Sequence, residues 1–170
     1  MRRLSCQDPK VWMKSVQLNS LNDEGDPQIT GKVKFQNNNF FEAKWKDPNI
    51  RLYWLPDEGQ SITEACSGSS DDADKACEYY DNGRCAIRLG KLVTDDTWKT
   101  KARETKTKQM DLYQSNEQEL ACSRQMNTVS EIGGDQKLVS KGTVKAKMSL
   151  YSSTQGWVTE KVQKEYYYYG

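Results

Sequence analysis

The sequence predicts an all-β protein: an antiparallel β-sandwich of about seven or eight strands with one short helix and a long cysteine-containing insertion loop. Three observations carry that expectation. Apolar and polar residues alternate with a period of two in several separate stretches, the pattern of strands with one buried face. The stretches are short and follow one another at roughly regular spacing, with turn-forming residues between them, as in sandwiches and barrels. The aliphatic content is low, at 28 Leu, Ile, Val and Phe in 170 residues, a level that signals disorder only when net charge is also high. Here 25 Lys and Arg are balanced by 24 Asp and Glu, and 9 Tyr and 5 Trp supply large buriable rings. A sheet needs apolar residues only at alternate positions, so a thin core of this kind suits one. The length fits a single domain over residues 1–170.

The elements follow in order. Residues 11–18 read as a weaker strand. In 29–36, Ile29, Gly31, Val33 and Phe35 alternate with Thr30, Lys32, Lys34 and Gln36. In 40–46, Phe41, Ala43 and Trp45 alternate with Glu42, Lys44 and Lys46. Asp47-Pro48-Asn49 has the composition of a turn, and 50–54 resumes the alternation. Residues 56–84 form an acidic, turn-rich insertion, of a length that is uncommon unless tied down or functional. Further strands fit 85–93, 97–105 and 107–114. Ser115 with Gln118 matches a capping box opening a helix of about three turns, which Gly133-Gly134 closes. Val144, Ala146, Met148 and Leu150 alternate with lysines and polar residues in 142–150. A Tyr-rich strand over 157–170, ending in Tyr166-Tyr167-Tyr168-Tyr169, completes the domain.

What is missing limits the chemistry. There is no His, which removes the commonest general base near neutral pH and the commonest metal ligand. No apolar run reaches the roughly 18 residues of a membrane-spanning helix. Met1-Arg2-Arg3 has the basic start of a secretory signal, but no apolar stretch follows. The chain is therefore cytosolic, or a targeting or anchoring segment lies upstream. A net charge of +1 gives no overall excess to hold nucleic acid by field alone, so nucleic acid is not an expected partner. The exposed strand faces are Lys-rich, which reads first as solvation and protection of sheet edges.

Five cysteines are present: Cys6, Cys66, Cys77, Cys85 and Cys122. Three crowd into or beside the insertion, at spacings that fit no metal or redox motif. They read as disulfide candidates, which would imply an oxidising compartment, with ordinary buried thiols as the alternative. The pairing stays open, and an odd count leaves one cysteine over. No Asn-x-Ser/Thr acceptor occurs to support secretion.

Two further features are candidate sites. Asp71, Asp72, Asp74, Glu78 and Asp81 make an acidic cluster that could bind Ca²⁺ or act as a carboxylate pair, although the spacing is not that of an EF-hand; a solvated loop is the simpler reading. Tyr166, Tyr167, Tyr168 and Tyr169 are candidates for a subunit interface. In a strand, Tyr166 and Tyr168 face one side while Tyr167 and Tyr169 face the other.

The order of elements also carries a resemblance. A strand Gly31-Lys32-Val33-Lys34-Phe35 leads into Asn37-Asn38-Asn39-Phe40 and a strand ending Ile50-Arg51-Leu52-Tyr53-Trp54. Later come Gly90-Lys91, a Thr-rich stretch from Lys101 to Thr107, and Ser140-Lys141-Gly142-Thr143-Val144-Lys145-Ala146-Lys147. Over about residues 10 to 165 this resembles the type 2 late-embryogenesis-abundant, or water-stress and hypersensitive-response, domain. Asn38 stands where that family usually has Pro, and the insertion at 56–84 is a departure. The resemblance implies an antiparallel sandwich of seven or eight strands with one helix, often behind a membrane anchor, and no catalytic residues. The expected function is a non-catalytic binding or scaffold domain, extracellular or lumenal, acting as a subunit of an assembly and without a cofactor. The alternatives are a soluble cytosolic stress-protective protein and a Ca²⁺-binding or carboxylate-based hydrolase.

Overall fold

Ten strands and two helices are present in the computed structural model, which describes residues 8–68, 77–94, 96–149 and 156–169. In chain order they are β1 (Lys10–Leu21), β2 (Pro27–Gln36), β3 (Ala43–Leu55), α1 (Glu64–Ser67), β4 (Cys77–Asp81), β5 (Arg84–Val93), β6 (Trp98–Thr100), β7 (Thr105–Tyr113), α2 (Glu117–Gly133), β8 (Gln136–Met148), β9 (Val158–Lys161) and β10 (Tyr166–Tyr169). Every pairing is antiparallel, along the path β1-β2-β7-β5-β3-β8-β10, with β4 on β5, β6 on β3 and β9 on β8.

The path curls until its ends meet. The Met13 N–H donates to the Tyr167 hydroxyl at 3.0 Å, and the Gln163 N–H donates to the Val11 carbonyl at 2.7 Å. The interior holds one main core, with Val11, Val33, Phe35, Trp45, Leu52, Trp54, Leu89 and Val144 fully buried. Two of its indoles are hydrogen-bonded, Trp45 donating to Thr100 at 3.0 Å and Trp54 to Gln136 at 3.1 Å, whereas the buried Trp98 indole nitrogen has no hydrogen-bond partner among the described residues. Helix α2 contributes Cys122 and Met126 to this core.

The period-two reading matches the buried faces of β2 and β8, where Ile29, Gly31, Val33, Phe35, Val144, Ala146 and Met148 are all buried. Several boundaries differ. Residues 43–46 and 50–54 belong to one strand, β3, while 40–42 precede it, and Asp47-Pro48 is a bulge inside the strand rather than a chain reversal. Asp47 takes the excursion at φ 50°. Gly142 of β8 crosses there so closely that a Cβ would lie 2.0 Å from the Asn49 carbonyl oxygen. Residues 97–105 break after Thr100 into a turn, in which Arg103 is left-handed at φ 63°, before β7 begins. The Tyr-rich tail divides into β9 and β10.

The insertion carries structure of its own. Thr63 caps the short α1, accepting from the Cys66 N–H. The β4–β5 hairpin turns at Asn82-Gly83, both at positive φ, the requirement of a tight two-residue hairpin turn. Helix α2 runs 17 residues, nearly five turns instead of three, and Asn116 caps it rather than Ser115. The Asn116 side chain accepts from the Glu119 N–H at 2.8 Å. The Glu119 carboxylate in turn accepts from the Ser115 N–H and hydroxyl at 2.8 and 2.7 Å and pairs with Arg88 at 3.2 Å. Both residue frames satisfy the capping pattern, and in the fold Glu119 is the one that reaches a cation across the sheet.

Candidate functional site: a basic outer face on the central strands

The two faces of β3 have different chemistry. Trp45, Ile50, Leu52 and Trp54 are fully buried in the main core. Lys44, Lys46, Arg51 and Tyr53 alternate with them and point the other way. Directly opposite residues of neighbouring strands share a face, so the register defines what surrounds these cations. Lys44 lies opposite Lys99 of β6 and Lys147 of β8; Lys46 lies opposite Lys145; Arg51 lies opposite Lys91 of β5 and Lys141 of β8. The outer face is thus a grid of like charges, spaced about 5 Å across the strands and about 7 Å along them.

Like charges set directly opposite each other on a sheet destabilise it. Edge protection does not account for them on β3, because that strand is hydrogen-bonded on both sides. Of the two expected roles, solvation and edge protection, the second does not apply to Lys44 and Lys46 of β3. Nearby carboxylates offset the charge only in part: Glu42 pairs with Lys99 at 3.7 Å, Asp47 with Lys145 at 3.8 Å and Glu78 with Arg51 at 3.7 Å. These pairs are solvent-exposed and weak. Lys44, Lys91 and Lys147 have no carboxylate partner among the described residues.

Aromatic rings flank the grid. Lys46 and Lys147 place their ammonium groups 4.1 and 6.0 Å from the Trp157 ring centre, and Lys141 lies 4.6 Å from that of Tyr79. At the Arg51 end the face deepens into an open groove of about 510 Å³. Arg51, Tyr53 and Lys141 form its floor, Glu78 and Tyr79 of β4 one wall, and Lys161 and Val162 the other. A smaller hollow continues it past Ser140 to Lys164. Tyr79 packs edge-to-face on Tyr53 with ring centres 5.0 Å apart. Burial first, and then the charge of Asp81, push the Tyr79 phenol up to about 12, so it stays a neutral donor.

A second small core supports the groove from the same face. Tyr53, Leu55, Ala86 and Val139 are buried there, covered by Tyr79 and Tyr166. The Tyr166 hydroxyl donates to Asp81 at 2.6 Å, and Lys164 pairs with the same carboxyl at 2.8 Å. Burial opposes the charge on Asp81, but these two partners outweigh it and hold the carboxyl below its usual range.

The remaining candidates fall as follows. Of the four tail tyrosines, three are used inside the fold. Tyr166 roofs the small core, while Tyr167 and Tyr169 are buried, the latter donating to Asn127 at 2.6 Å. Tyr168 is the exposed ring, at 62%. Cys66 bonds to Cys122 and Cys77 to Cys85; Cys6 lies outside the described residues, as do Asp71, Asp72 and Asp74. Glu78 and Asp81 are engaged separately, Glu78 with Arg51 and Arg88 and Asp81 with Lys164 and Tyr166. Among the described residues no group of three or more His, Cys, Asp or Glu is arranged to hold a metal ion. The Asn37–Asn39 turn is capped by its own side chain, the Asn39 N–H donating to Asn37 Oδ1 at 3.0 Å. Alternating lysines were visible in the sequence; their opposition across strands depends on long-range register and was not.

No family model and no curated protein matches the chain. Among solved structures, the crystal structure of a protein from Archaeoglobus fulgidus aligns over 95% of each chain, with a TM-score of 0.39 and 8% identity. A likeness of that strength carries no argument about function.

Proposed function

We propose that this protein is a non-catalytic binding domain of an oxidising, extracytosolic compartment, and that the basic outer face of β3 and β8 is its binding surface. One observation carries the reading: lysines and Arg51 stand directly opposite one another on a strand paired on both sides, where they oppose sheet stability and serve no edge-guarding purpose. Groups kept at a cost to stability are characteristic of sites whose energy is recovered on binding. An anionic partner would relieve the repulsion. The two disulfides support the oxidising compartment. No described helix is long and apolar enough to cross a membrane.

The test is direct. The intact protein should bind an immobilised polyanion at low salt, and the affinity should fall steeply as salt rises. Failure to bind any polyanion at low ionic strength would remove the reading. Counting thiols in protein isolated from its source under non-reducing conditions tests the compartment: one free thiol or none is expected, and five would exclude it.

A further inference from the structure

We infer that the ligand of the basic face is a linear polysaccharide carrying sulfate or carboxylate groups, an inference that rests on the binding reading above. Four features point to this class. First, the cations form an extended grid rather than one pocket. From the Lys147 row to the Lys141 row, β8 covers about 20 Å, so the face suits a chain with repeated charges better than a small ion. Second, the grid is built of lysines around Arg51, and the neighbouring Arg88 is already engaged by Glu78 and Glu119. Lysine is a flexible point charge that can follow irregularly placed anionic groups, whereas paired Arg forks recognise planar phosphates and base edges.

Third, the aromatic rings sit at the margins. Trp157, 36% exposed, already has Lys46 and Lys147 at its ring, and Tyr79 forms the groove wall. Among the described residues no row of exposed rings runs down the middle of the grid to stack successive bases, which single-stranded nucleic acid would use. The margins instead offer isolated apolar faces with hydroxyl and ammonium donors beside them, chemistry that suits sugar rings with polar edges. Fourth, the disulfides favour a compartment in which anionic glycans, rather than nucleic acids, are the expected polyanions.

The experiment uses the full chain with its disulfides intact and measures fluorescence polarisation of labelled oligomers of matched length. The probes are a heparin-derived octasaccharide, an oligogalacturonate, an uncharged dextran oligomer, a single-stranded oligonucleotide and polyglutamate. Tighter binding of the heparin or galacturonate probe than of the oligonucleotide or polyglutamate is expected, with the dextran oligomer not bound. The two glycan arms then show whether sulfate or carboxylate is the group recognised. The triple variant Lys44→Gln/Lys145→Gln/Lys147→Gln should weaken glycan binding by about tenfold or more and flatten its salt dependence. It removes opposed like charges, so its Tm should hold or rise, which separates lost binding from lost folding. Lys32→Gln/Lys34→Gln on β2 is the control and should bind as the parent does.

If the oligonucleotide or polyglutamate binds more tightly than both glycans, the polysaccharide assignment is overturned while the basic-face reading stands. If every polyanion fails at low salt, both fall. If the triple variant binds glycan undiminished, the site is elsewhere and the assignment is again overturned.

Discussion

The two disulfides do different work. Cys66–Cys122 joins residues 56 apart in sequence, both fully buried, and fastens α1 of the insertion to α2 against the main core. Cys77–Cys85 joins residues 8 apart, both half-buried, and pins β4 to β5; Cys85 packs on the margin of the main core, while Tyr79 of β4 walls the groove from the other face. The first bond lies inside the core; the second lies at its margin and holds the strand that walls the groove. The comparison teaches that stability and the integrity of the groove are held by separate cross-links and can be altered separately.

Removing the long-range bond should have the largest effect. In the chain-entropy account, a loop of that length contributes about 4 kcal/mol, and Cys66→Ala/Cys122→Ala also leaves space in a packed region. Denaturant unfolding should show that loss with the glycan affinity of the remaining folded protein nearly unchanged. Removing the short-range bond, Cys77→Ala/Cys85→Ala, should cost about 2.5 kcal/mol by the same account but should weaken ligand binding more. The half-buried bond should also reduce first under a graded thiol reductant, read by alkylation and mass analysis. Equal binding in the two double variants would break the comparison.

A milder change sharpens it. Tyr79→Ala removes the ring that packs on Tyr53 and roofs the small core, and should cost about 1–2 kcal/mol. It should widen the groove while leaving the main core intact, so near-ultraviolet signals from the buried Trp45 and Trp54 should persist.

The smallest effects come from pH. The Asp81 carboxyl is lowered despite its burial, through Lys164 and Tyr166. Asp26 is lowered chiefly by its hydrogen bond from Arg124, against the opposing cost of burial. For both, the stabilisation is complete above the unfolded value of about 4 and is lost as pH falls through the lower folded value. Asp81→Asn should therefore flatten the acid limb of a stability profile. At the other extreme, burial first raises Tyr79 and Tyr169 to about 12. Their contribution is complete below about pH 10 and is lost between pH 10 and 12, so alkaline unfolding should begin in that window. In Tyr79→Ala it should be shallower.

Much of the sheet was legible because inward and outward residues alternate locally, as in β2 and β8. The misreadings share a cause: distant partners decide between locally equivalent options. Asp47-Pro48-Asn49 has turn chemistry in either case, and it is the passage of β8 at Gly142 that keeps β3 continuous. Ser115 and Asn116 both suit a helix cap, and the reach of Glu119 to Arg88 selects the second. Cysteine crowding announced cross-links, but the partner of Cys66 lies in α2. The Tyr tail's two-sided pattern was readable, and the fold spends three of its rings internally. The basic face was the least legible feature, because alternating lysines look alike whether their neighbours are carboxylates, solvent or other lysines.

The meeting of β1 with β10 has a consequence for behaviour in solution. Once the ends of the path touch, the short strands β4, β6 and β9, of five, three and four residues, are left beside it. These three are too short to seed the stacking of extended chains that begins insoluble fibres, and the long outer strand β1 is fastened to the Tyr-rich end at Val11 and Met13. A protein with this many lysines and so few aliphatic residues would then stay dispersed at high concentration, and crowding it beside an anionic polymer should yield a reversible, salt-soluble precipitate rather than a fibrillar one.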